Sequence, residues 1–202
     1  RSVLNDRHFD FATVVPAEQS VQFTLGAASG PSDERSPQGP VSVARSFAIS
    51  RYEVTNGLFA KVMGAALDAG LVETDGDALI SAVGDRQKLL SLAPDGSDIT
   101  VDSGDVSVID GREDYPVTNV TWYGAVFFCH AVNAIEGRTS PYDVTTWTVD
   151  NDLPGYRLPT EVEWELAARG GSKGIADEQD TDEDVRDIAW IRDGSNAATA
   201  PV

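Results

Sequence analysis

The residues best equipped for chemistry in this 202-residue sequence are few: one cysteine, Cys129, and two histidines, His8 and His130. A nucleophilic thiol needs a base beside it, or a setting that lowers its pKa. Cys129 lies instead in the run Phe127-Phe128-Cys129-His130-Ala131-Val132. A free cysteine there acts as a small hydrophobe. On a helix, His130 points about 100° away from its neighbour, so the two form no dyad. His8 sits in an N-terminal stretch of little periodicity, and two scattered histidines make neither a zinc site nor a Ser-His-Asp triad. Glu161, Glu163 and Glu165 bring carboxylates close together, and 161 and 165 share a helical face. Capping and helix-dipole roles account for Glu161 and Glu163, and pairing with Arg169 for Glu165, so acid–base chemistry is the weaker reading. The acidic run from Asp177 to Asp184 places Asp180, Asp182 and Asp184 at the first spacings of a calcium loop. Val185 then stands where such a loop needs glycine, and Ile191 where it needs a bidentate glutamate, which leaves a solvated acidic loop.

The elements that must hold these residues follow from periodicity. Residues 1–17 read as a lead-in. Val21, Phe23 and Leu25 alternate with Gln22 and Thr24, a half-buried strand ending at Gly26. Residues 27–40 are loop-like, and a second strand is expected around Val41 to Ile49. Thr55 caps a helix whose Phe59, Met63 and Leu67 share a face. Residues 68–114 are acidic and glycine-broken, with one small hairpin at Ser103-Gly104 and otherwise irregular backbone expected. Thr121 to Gly137 reads as a deeply buried helix with Trp122 among its apolar residues, and residues 138–153 as a loop.

The densest stretch is "YRLPTEVEWELAARGG", residues 156–171. Thr160 with Glu163 forms a capping box, Pro159 and Trp164 have the spacing of a hydrophobic staple, and Glu165 pairs with Arg169 at i,i+4. Gly170 suits the left-handed position after the helix. Arg157 and Glu53 are expected in buried or half-buried polar contacts.

The composition bounds the partners. There are 33 acidic against 15 basic side chains, a formal charge of −18. Such a surface repels phosphate backbones and attracts cations and basic peptides, so nucleic acid is excluded as a partner. No apolar run is long enough to span a bilayer as a helix. One cysteine allows no intrachain disulfide. The sequence begins at Arg1 rather than Met, as a processed or trimmed chain would.

Four segments carry a family resemblance, in order: "FTLG" (23–26), "FAISRYEVTNGLF" (47–59), "YPVTNVTWYGAVFFCHAVN" (115–133) and "GYRLPTEVEWELAARGG" (155–171). Together the chain resembles the formylglycine-generating enzyme family, the sulfatase-modifying factors. The resemblance implies an α+β fold of C-type-lectin-like type with short elements and much irregular loop. It implies one domain over residues 1–202, incomplete at its C-terminus. It also implies an extracytoplasmic location, whether periplasmic, cell-surface or secreted. Family enzymes oxidise a sulfatase cysteine to formylglycine with copper held by a cysteine pair, and one cysteine cannot supply soft Cu(I) with two thiolates. Family calcium chemistry near residues 188–196 nominates Asp193 and Asn196 as metal ligands, although Trp190 stands where the family usually has asparagine. The expected function is therefore a non-catalytic module binding a protein or small ligand, with no catalytic residue, and with a second chain or fragment as a candidate to complete the fold. The alternative is a formylglycine-generating oxidase whose cysteines lie in a further C-terminal segment.

Overall fold

The computed structural model describes residues 7, 9–26, 39–93, 96–171 and 199–202. The chain divides into two compact units. One comprises residues 1–9, 52–158 and 199–202, the other residues 10–51 and 159–198. The described elements are short strands and three helices, the α+β mixture expected.

The second unit contains four strands and one helix among its described residues. Strand β1 (Phe11–Val15) pairs antiparallel with β4 (Phe47–Ser50), with an irregular step between Thr13 and Val15. Strand β2 (Val21–Leu25) pairs antiparallel with β3 (Gly39–Val43). In β2 the alternation works as the sequence suggests: Val21, Phe23 and Leu25 are buried while Gln22 and Thr24 are exposed. Their inner faces meet Val14, Val15, Val43 and Leu166, the last from the helix "EVEWELAA". Two expectations change here. The lead-in contains strand β1, and the region expected as a single strand to Ile49 is two strands broken at residues 44–46.

The first unit is built on two helices. Helix α1 (Asn56–Asp68) is capped by Thr55, whose hydroxyl accepts from Leu58 N, and buries Phe59 and Met63. Helix α2 (Trp122–Ile135) is capped by Thr121, accepting from Gly124 N, and Gly137 terminates it at φ 67°. Phe59 and Phe128 stack across the two helices with ring centroids 5.6 Å apart. Residues 72–91, expected to be irregular, form a three-stranded antiparallel sheet: β5 (Val72–Asp75), β6 (Ala78–Ser81) and β7 (Lys88–Ser91). All four residues of β6 are buried, so its sequence lacks the alternation of a half-exposed strand. The expected hairpin is present as β8 (Ile99–Asp102) and β9 (Asp105–Val108), turning through Ser103 (φ 52°) and Gly104 (φ 88°). A two-residue ribbon, β10 (Tyr142–Asp143) with β11 (Thr148–Val149), interrupts the loop after α2.

Helix α2 lies hard against β7. A Cβ at Gly124 would fall 2.0 Å from Leu89 O, so only glycine lets the helix approach this closely. Asn133, buried on the same helix, donates from Nδ2 to Cys129 O and Tyr156 O (both 2.8 Å) and accepts from Tyr156 N (2.9 Å). That one amide ties α2 to the start of the "GYRLP" stretch.

Candidate functional site

Cys129 is buried in α2, and desolvation pushes its pKa up to about 12. At neutral pH it is a protonated thiol packed in the core, not a nucleophile. His130 does not activate it: its Nδ1 faces Tyr142 O at 3.3 Å. Tyr142 is itself buried, its pKa raised by desolvation, and its hydroxyl accepts from Leu158 N at 3.0 Å. These groups hold the first unit together.

The glutamates of the third helix, α3 (Glu161–Ala168), are equally committed. Glu163 accepts from Thr160 N at 2.8 Å while Thr160 Oγ1 accepts from Glu163 N, a complete capping box. Glu165 accepts from Arg169 at 2.5 Å and from Gly26 N at 2.9 Å, and Arg169 donates to Gly26 O at 3.0 Å. The pair thus clamps both backbone groups of the residue that ends β2. Gly170 takes the left-handed conformation after the helix, at φ 82°. The staple does not form: Pro159 is exposed and Trp164 is 61% exposed. Glu53 is exposed as well, contrary to expectation, while Arg157 is half-buried and donates to Leu158 O.

Asp193, Asn196, His8 and the acidic run 177–184 lie outside the described residues. Among the described residues, no group of three or more His, Cys, Asp or Glu side chains is placed to hold a metal. No described helix is long and apolar enough to cross a membrane.

Two arrangements in the first unit were not foreseen. The first is a polar hub. Arg112 Nε donates to Asp98 at 2.9 Å, Arg112 Nη2 donates to Thr199 Oγ1 at 2.9 Å, and the guanidinium stacks 3.5 Å from the Tyr115 ring. Asn56 donates to the same Asp98 oxygen at 3.3 Å and to Arg112 O at 2.9 Å. Periodicity passes over the hub because its hydrogen-bonded partners are 14 to 87 residues apart.

The second is an aromatic ridge. Trp122, expected in the core, is 53% exposed at the start of α2. It meets Tyr123 edge to face at 5.3 Å, and Tyr123 meets Trp147 likewise at 4.9 Å. Tyr123 and Trp147 rest on the core beneath. Trp147 holds a left-handed φ of 57°, sparse territory for so bulky a residue, and its buried indole Nε1 has no hydrogen-bond partner among the described residues. The loop carrying it is pinned from both sides. Asp143 accepts from Thr145 N at 2.8 Å, and its hydrogen bonds from Thr145 and Thr146 hold its pKa below the usual carboxylate value. Gly84 packs so closely that a Cβ would lie 2.7 Å from Thr145 O. The sequence signal for the ridge is the tryptophan at the first position of a capped helix.

The described part of the chain is an α+β fold of short elements whose sequence-motif residues form caps and clamps. The family model described as "Sulfatase-modifying factor enzyme 1-like domain" matches residues 13–202, and the chain belongs to this formylglycine-generating enzyme (FGE)-sulfatase family. It is 28% identical over 172 residues to the formylglycine-generating enzyme of Bos taurus, covering 78% of this chain and 40% of that protein. It is 34% identical over 96 residues to chaperone protein LppX of Paenibacillus barcinonensis, covering 39% of this chain and 34% of that protein. A crystal structure of CarF matches with a TM-score of 0.54 at 24% identity, over 83% of this chain and 58% of that one, and supports the fold. The chain spans less than half the length of these two curated relatives.

Proposed function

We propose that this chain is a non-catalytic, polypeptide-binding scaffold of the family, working outside the cytoplasm. The observation that carries the reading is the aromatic ridge. Trp122 stands exposed on a rigid, capped helix, and Tyr123 and Trp147 brace it from the core. Large aromatics held rigid at a surface are the residues that most often dominate binding energy, because little conformational entropy is lost when they are covered. Backbone strain at Trp147 belongs to the same patch, and strain of this kind clusters at ligand-binding positions. Two relatives support a polypeptide as the partner. One is named a chaperone protein and the other a formylglycine-generating enzyme, and the family resemblance implies a cysteine within a sulfatase chain as the substrate. The charge of −18 favours neutral or basic segments over acidic ones.

The test is fluorescence anisotropy with labelled, unfolded peptides of basic, neutral and acidic composition. Basic and neutral peptides bind, and Trp122→Ala weakens binding at least about tenfold, as loss of a tryptophan hot spot does. Binding unaffected by Trp122→Ala rules the ridge out.

A second reading has its own support in the likeness to the bovine enzyme across 78% of this chain. There the 202 residues are part of an oxidase whose copper-binding cysteine pair lies in further sequence. The single buried thiol here does not fit a two-thiolate copper site. Calcium at Asp193 and Asn196 is a proposal on the same footing. Conversion of a sulfatase-type cysteine peptide, read as a mass change, by a longer form of this protein and not by these 202 residues would establish this second reading.

A further inference from the structure

The polar hub contains one atom that no described residue satisfies. Asn56 is fully buried, and its Oδ1 has no hydrogen-bond partner among the described residues. The orientation of the amide is fixed by its surroundings. Nδ2 faces two acceptors, the Asp98 carboxylate and Arg112 O, so turning the group over would set an oxygen against two oxygens. Oδ1 is therefore a genuine buried acceptor, and the two groups that hold Nδ2 offer it no donor.

We propose that Asn56 Oδ1 is one wall of an internal site for a single water molecule, which forms part of the folded hub. A ligand there must donate a hydrogen bond or be a cation. The hub already balances its charge, since Arg112 is paired with Asp98, and its guanidinium disfavours a second positive charge close by. Water fits, with two donors and two acceptor positions. The neighbouring turn supplies its other partners. Glu113 O accepts from Gly57 N at 2.9 Å and Tyr115 O from Asn56 N at 2.8 Å, and each keeps a second lone pair. A water bridging Oδ1 to one of these carbonyls ties the first turn of α1 to the segment 109–116. Through Arg112, that segment also holds Thr199. The asparagine of the "EVTN" motif then has a defined role. Its amide hydrogens bind Asp98 and Arg112 O, and its oxygen binds the water.

A high-resolution crystal structure of the 202-residue chain tests this, together with NMR cross-relaxation between water and the Asn56 side-chain amide in the wild-type protein. The expected result is one isolated density peak about 2.7–3.2 Å from Oδ1, with a water signal long-lived enough to transfer magnetisation to that amide. A protein donor bonded to Oδ1, or an empty space beside it with no such transfer, overturns the proposal. So does a peak surrounded by oxygens at about 2.3–2.6 Å, which marks a bound cation instead.

Discussion

Cys129 shows how one residue can look chemical and be structural. Its thiol belongs to the core, and burial holds the proton on it up to about pH 12 against an ordinary value of 9.0. In the range between those values the native state keeps a proton that the unfolded chain releases, so stability falls as pH rises. The contribution is full below pH 9 and is lost as pH climbs towards 12. Denaturation midpoints measured across that range decline in the wild type and decline less steeply in Cys129→Ala. Below pH 9 a thiol reagent labels Cys129 only at the rate of unfolding. Rapid native labelling at neutral pH would contradict this reading of the thiol. Glu163 gives a second test at this scale. Glu163→Ala breaks the capping box and lowers stability by about 1 kcal/mol in urea denaturation.

At the level of elements, two close fits are decisive. Gly124→Ala drives a methyl group into Leu89 O and separates α2 from β7, so a loss of about 3 kcal/mol is expected, visible as a lower urea midpoint. Arg169→Ala removes the clamp on Gly26 and leaves Glu165 half-buried without its cation. The expected cost is about 2 kcal/mol, with faster hydrogen exchange at the end of β2. Both helices and strands were legible in the sequence where one local signal ran the length of the element. The Thr55, Thr121 and Thr160 caps, the alternation of β2 and the Ser103-Gly104 turn all appear in place. The sheet of β5, β6 and β7 was not legible. Its strands are four residues each, β6 is buried on both faces, and the acidic turn residues around Gly76 mask the pattern. The hub, and the ridge beyond the position of Trp122 at the helix start, were hidden for a different reason. Exposure of Trp122 and convergence of Asn56, Asp98, Arg112 and Thr199 are tertiary facts that periodicity does not encode.

For the molecule as a whole, family membership and function separate. The motifs that identify the family serve caps, clamps and close packing in each unit, and the ridge on the first unit offers an exposed aromatic surface braced by ring contacts. A charge of −18 sets the long-range field around it, so basic peptides lose affinity as salt rises, while neutral ones change little. The most direct measurement of peptide binding at the ridge is hydrogen–deuterium exchange with and without a saturating unfolded, basic peptide. Added protection is expected in residues 119–125 and 143–149, the segments that carry Trp122, Tyr123 and Trp147. Protection confined to other segments, with these two unchanged under saturation, would contradict it.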